Sequence, residues 1–171
     1  AGQSRMPPSV GFVSVVPATP SAIMPAYPMQ YTLGESITLQ GYDLSGAIVS
    51  GAPLTLTLYW QAQKAIAQDY KVFVHVLAAD GAMLTQNDGP PRNGWYPTSV
   101  WQAGDVIPDV RRLDIPELSP GQILQLNVGM YRPDDFTRLT VFDGAGRMLP
   151  DGVIPLCTAM GECVVQTRAS Q

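Results

Sequence analysis

One histidine, two cysteines and a scatter of aspartates are most of what this sequence offers for acid–base, nucleophilic or metal chemistry. His75 lies in YKVFVHVL, and a histidine inside a near-continuous apolar strand is more often a packed residue with one or two hydrogen bonds than a catalyst. No GxSxG accompanies it and no glycine-rich loop follows the phosphate-binding pattern. Gly144-Ala145-Gly146 lacks a third glycine and a following helix. Asp88, Asp105, Asp109, Asp134, Asp135 and Asp143 nearly all stand beside glycine or proline, where aspartate bonds nearby backbone in turns. That reading outweighs a pair of glycosidase carboxylates. Calcium on Asp134, Asp135 and Asp143 is a minor alternative without EF-hand spacing. The expectation is no catalytic residue, no metal and no cofactor.

Cys157 and Cys163, in CTAMGEC, enclose a short segment with Gly161 that suits a tight β-hairpin closed by a disulfide. Such a bond implies an oxidising compartment. Two free thiols are the alternative. Zinc is disfavoured, because His75 is far away in sequence and no third sulfur exists.

The remaining chemistry is aromatic. NDGPPRNGWYPTSVWQAGDVIPD, from Asn87 to Asp109, holds Trp95, Tyr96 and Trp101, with Pro90, Pro91 and Pro97 barring helix or central strand. Exposed Trp and Tyr stack on the apolar C–H faces of sugars while amides and carboxylates bond the hydroxyls. The ligand-binding set read from the sequence is Trp95 and Tyr96 with Asn87, Asp88 and Asn93. The competing reading folds the loop back so that its aromatics seal one end of the domain. Trp101, beside Val100 and the next strand, is assigned to that architectural role.

A scaffold must carry this loop, and the flanking segments read as strands. Leu54, Leu56, Leu58 and Trp60 alternate with Thr55, Thr57 and Tyr59, which marks a half-buried antiparallel strand with Trp60 as a core plug. Tyr70 to Leu77 reads as a central strand covered on both sides. Ile123 to Tyr131 alternates again, and Pro108 restricts Val106 to Ile115 to an edge or a bulge. Ser36 to Leu44, with Gly41 marking a bulge or close approach, Ala82 to Gln86, Leu139 to Phe142, Val153 to Leu156 and Cys163 to Thr167 complete the set, and Gln61 to Gln68 reads as a crossover. The pattern predicts an all-β, antiparallel, immunoglobulin-like sandwich over residues 31–171 with a long aromatic and proline-rich loop; a jelly roll is the runner-up. Residues 1–30, dense in proline, read as a lead-in or linker packing through Phe12, Met24, Tyr27 and Met29, with Val10 to Val16 as one strand candidate.

Composition bounds the partners. With 46% hydrophobic and 14% charged residues the chain buries a core, and a net charge of −4 with dispersed cations disfavours nucleic acid. No apolar run approaches the length of a membrane span, so the chain reads as soluble, or as the excised soluble part of a membrane protein.

LTLYWQA (Leu56 to Ala62), DYKVFVHVLAADG (Asp69 to Gly81), QNDGPPRNGWYPTSVWQAGDVIPD (Gln86 to Asp109) and PGQILQLNVGMYRPD (Pro120 to Asp134), in this order, resemble a known domain. It is the C-terminal extracytoplasmic domain of Chloroflexus-type bacterial membrane glycosyltransferases that resemble dolichyl-phosphate-mannose transferases. The likeness spans about Ser36 to Phe142 and excludes the lead-in and the cysteine segment. It implies a non-catalytic accessory domain outside the cytoplasm, tethered by a membrane domain that would also be its partner, with glycan as a candidate ligand. The catalytic acids of such enzymes lie in the membrane domain, so none is carried over. The alternative is a structural spacer or protein-interaction domain at the cell surface.

Overall fold

The computed structural model describes residues 24–157 and 162–166. Phe12, the Val10–Val16 strand candidate and Thr167 lie outside the described residues. Two antiparallel sheets make a β-sandwich. The first has the order β6-β3-β2-β1-β8-β9, formed by β1 (Tyr27–Leu33), β2 (Ile37–Leu44), β3 (Pro53–Ala62), β6 (Val106–Asp114), β8 (Val141–Phe142) and β9 (Met148–Leu149). The second has the order β10-β7-β4-β5, with β4 (Lys71–Ala78), β5 (Met83–Gln86), β7 (Ile123–Tyr131) and β10 (Ile154–Pro155); β11 (Glu162–Val164) also pairs with β7.

Period-two alternation builds the core. In β3, Leu54, Leu56, Leu58 and Trp60 are buried while the threonines and Tyr59 between them stay half-exposed. Val72, Val74 and Val76 of β4 and Leu124, Leu126, Val128 and Met130 of β7 join them in one apolar cluster. Each fully buried aliphatic side chain contributes roughly 1.5–3 kcal/mol. The crossover at Gln61 to Gln68 carries the chain from β3 in one sheet to β4 in the other and inserts Ile66 into the core. β6 lies at a sheet edge, where Pro108 deprives no inner ladder of a donor.

Several segments differ from the sequence reading. β1 begins at Tyr27, inside the proline-dense segment read as lead-in. Pro28 is tolerated because β8 meets β1 only at Thr32 and Leu33, so the outer side of Pro28 has no strand to serve, and the β1–β2 register shifts beside it. Gly41 is both the bulge and the close approach expected of it: φ is +152°, and a Cβ there would stand 2.5 Å from the Tyr27 carbonyl oxygen.

Cys157 and Cys163 are disulfide-bonded, but they do not close a hairpin. β10 and β11 both run antiparallel to β7, at Asn127–Val128 and at Ile123–Gln125 respectively, and therefore run in the same direction along one edge. The disulfide links Cys157, just past β10, to Cys163 in the collinear β11. The Cys157 N–H donates to the Tyr42 hydroxyl at 2.8 Å, tying Cys157 to the first sheet. Closing so short a loop constrains the unfolded chain by about 2 kcal/mol. Replacing both cysteines with serine is expected to lower unfolding free energy by about that amount in a denaturant titration, with amide exchange accelerated first in β11.

Candidate functional site

The loop that opens after β5 starts as an extension of that strand. Asn87 exchanges both backbone hydrogen bonds with Val74, and Gly89 does so with Val72. Alternation then separates neighbours: the Asn87 side chain turns inward and the Asp88 side chain turns to the outer face of the second sheet.

Asn87 meets a buried ion pair. Asp109 and Arg111 occupy inward positions of β6 and are 0% and 2% exposed. The Arg111 guanidinium donates from Nε and Nη2 to Asp109 Oδ2 at 2.9 and 2.8 Å, and from Nη1 to Asn87 Oδ1 at 3.2 Å. Nη2 also reaches the carbonyls of Gly89 and Pro90. The second Asp109 oxygen accepts the Arg92 N–H at 2.7 Å, and the Asn87 amide donates to the Arg112 carbonyl. Every partner of this clamp belongs to β6 or to the base of the loop, so the loop's path is fixed by charge buried at a sheet edge.

Beyond the clamp the chain makes a 3-10 turn at Pro91–Gly94, with Arg92 and Asn93 left-handed at φ of 50° and 55°. Trp95 follows at the tip and is 88% exposed. It shares a shallow cleft of about 320 Å³ with Arg92, Asn93, Pro108 and Val110. The chain past the tip is tied down. The Tyr96 hydroxyl donates to Asp105 at 2.9 Å, which raises the Tyr96 pKa above its ordinary value because the bond favours the protonated phenol. Trp101, 1% exposed, donates its indole N–H to the Tyr96 carbonyl. The buried Thr98 hydroxyl donates to the Gln68 carbonyl and accepts from the Tyr70 N–H.

A larger concavity lies on the outer face of the second sheet. Phe73, His75 and Leu77 of β4 and Asn127 of β7 line a groove of about 730 Å³, walled by Phe136 and Arg138 and by the segment 148–153. Gly129 makes the floor possible: a Cβ there would fall 2.5 Å from Phe73 Cζ and 2.7 Å from the Gly152 carbonyl oxygen. The missing side chain lets the Phe73 ring lie over β7. Arg138 stacks on Phe73 with Cζ 4.6 Å from the ring centre and donates to the Asp151 carbonyl. Tyr131 stacks on Phe136, which is 73% exposed. Tyr131 is half-buried, and desolvation, followed by the nearby Asp88 charge, pushes its pKa up. His75 Nε2 lies 3.2 and 3.3 Å from the two Asp88 oxygens at one end of the groove.

The structure thus divides the five residues picked from the sequence. Trp95 and Asn93 share the exposed tip, Asp88 pairs with His75 in the groove, Asn87 belongs to the clamp, and Tyr96 is hydrogen-bonded against the loop's inner side. Phe73, Asn127, Phe136 and Arg138 were not picked. The available signal was an outward apolar row on β4 that needs a cover, together with a glycine inside an alternating strand. The turn reading holds for Asp135 and Asp143, whose carboxylates accept backbone N–H bonds from Thr137 and from Ala145 and Arg147. These bonds, led by Thr137 and Arg147 respectively, hold their pKa values below the usual range. It fails for Asp109, which is a strand residue and buried because Arg111, two positions on, faces the same way. Among the described residues no three His, Cys, Asp or Glu side chains gather as a metal site.

No family model matches the sequence, and no curated protein matches it. Among solved structures the chain is similar to the C-terminal domain of wzt, with 13% identity over 86% of this chain and 84% of that one and a TM-score of 0.47.

Two predictions follow from this geometry. Arg111→Met strands a buried carboxylate and is expected to cost about 3–5 kcal/mol in a denaturant titration, whereas Asp109→Asn with Arg111→Met recovers part of the loss. Gly129→Ala displaces Phe73 from the groove floor, so its ring proton shifts in the NMR spectrum are expected to move while those of Trp60 and Trp101 stay in place.

Proposed function

We propose that this domain is a non-catalytic carbohydrate-binding module, an accessory of a membrane glycosyltransferase outside the cytoplasm. The observation that carries the reading is the groove on the second sheet. The exposed Phe136 offers apolar ring surface above a floor formed by the buried Phe73, and His75, Asn127, Arg138 and Asp151 bring hydrogen-bonding groups to the same concavity. Its volume of about 730 Å³ suits a short oligosaccharide rather than a single small ion. The resemblance in sequence to glycosyltransferase-linked domains supports the accessory role.

The groove's acids and bases argue for binding over hydrolysis. His75 and Asp88 are paired with each other, and among the described residues Thr140 supplies the groove's one aliphatic hydroxyl side chain, with no serine or cysteine beside it.

A second reading, a protein-interaction or spacer domain, is favoured by one observation: a nearly bare Trp95 on a tightly held loop is a contact anchor of the kind found at interfaces. A glycan panel covering cell-envelope polysaccharides separates the two. Binding that weakens about tenfold in Phe136→Ala, with thermal stability unchanged, is the expected result. Absence of binding across the panel, or binding abolished by Trp95→Ala and untouched by Phe136→Ala, would overturn the groove assignment.

A further inference from the structure

We infer a second ligand site, on the outer face of the first sheet and away from the aromatic groove, that takes a neutral polyhydroxylated ligand of the saccharide class. The same alternation that buries Leu39, Leu58, Trp60 and Ala62 turns Thr38, Gln40, Gln61 and Gln63 outward. Thr38 stands directly opposite Gln61 in the β2–β3 register. With Gln30 beside them and Met24 at the rim, these residues line a cleft of about 460 Å³ that no charged side chain enters.

The amides are already organised. Gln61 Oε1 accepts from Gln40 Nε2 at 2.9 Å and from Gln63 Nε2 at 3.0 Å, and Gln63 Nε2 also donates to the Thr38 hydroxyl at 3.1 Å. This chain of bonds fixes three side chains whose rotamer freedom otherwise opposes binding. Within this network the Gln61 amide protons and the Gln40 and Gln63 carbonyl oxygens are not used, which makes them the groups a ligand would meet. Such a donor–acceptor array matches vicinal hydroxyls, each of which both gives and accepts a hydrogen bond. Met24, 82% exposed, adds apolar surface for the C–H face of a ring.

Charge and topology narrow the ligand class. An anionic or cationic ligand would meet no counter-charge inside the cleft and would lose hydration without compensation. An extended peptide binds β domains by adding a strand to an open sheet edge. This cleft lies across β2 and β3, each of which has strands on both sides, so its backbone groups are already paired.

The experiment is an NMR titration of the isotopically labelled domain with neutral gluco- and manno-oligosaccharides and, in parallel, with uronic-acid oligosaccharides. Saturable shifts of the Gln40, Gln61 and Gln63 side-chain amide signals by the neutral sugars are expected. They should weaken about tenfold in Gln61→Ala or Gln63→Ala and persist in Phe136→Ala. The backbone spectrum shows at once whether each variant is folded. Glutamine signals that stay fixed while Asn127 in the groove responds would overturn this site and leave the groove reading standing. Fixed signals at both places would overturn both. Equal response to the acidic sugars would overturn the assignment to a neutral ligand.

Discussion

Asp109 and Arg111 sit at inward-facing positions of an edge strand where Ile107 and Leu113 show that apolar side chains are the local rule. Taking both charges out of water costs several kcal/mol per ion, and their mutual attraction alone does little better than break even against apolar residues of similar size. What distinguishes this pair is the number of loop groups it engages: Asn87, Gly89, Pro90 and the Arg92 N–H. An apolar pair would fill the same volume and leave those groups without partners. The ion pair therefore acts on specificity of path more than on net stability. It holds the loop at the point where it leaves the second sheet, through Gly89, Pro90 and the Arg92 N–H.

The consequences extend to both faces of the second sheet. Because Asn87 is drawn inward and strand alternation still governs the next residue, Asp88 must face outward, where it meets His75. The groove thus has the His75–Asp88 pair at one end. Its floor depends on Gly129, and its walls come from the chain after β7, which crosses the outer face before reaching β8 and returning as β10. Phe136, left-handed at φ of 59°, lies on this crossing and stacks on Tyr131. Rigid strands supply the floor and short tied segments supply the walls, which suits selection of a shaped ligand with little ordering cost.

Much of the scaffold was legible in the sequence because burial on a sheet follows period two. Leu54 through Trp60 and Leu124 through Met130 announce their buried faces, Pro108 announces an edge, and Trp101 could be told from Trp95 by its apolar neighbours. The clamp was not legible, since an aspartate beside a proline looks like a turn residue until its arginine partner is seen to share its face. The cysteine segment looked like a hairpin, but its flanking strands take the same partner, β7, and pairing partners are set by long-range packing. The groove is not legible in the sequence because Phe73 and Asn127 are brought beside Phe136 and Arg138 only by tertiary structure.

Carbohydrate binding in the concavity beside Phe136 is read by intermolecular nuclear Overhauser effects in the domain mixed with an oligosaccharide that it binds. Contacts from sugar ring C–H protons to the aromatic protons of Phe136 are expected. Contacts confined to the Trp95 indole, with Phe136 silent, would contradict binding there.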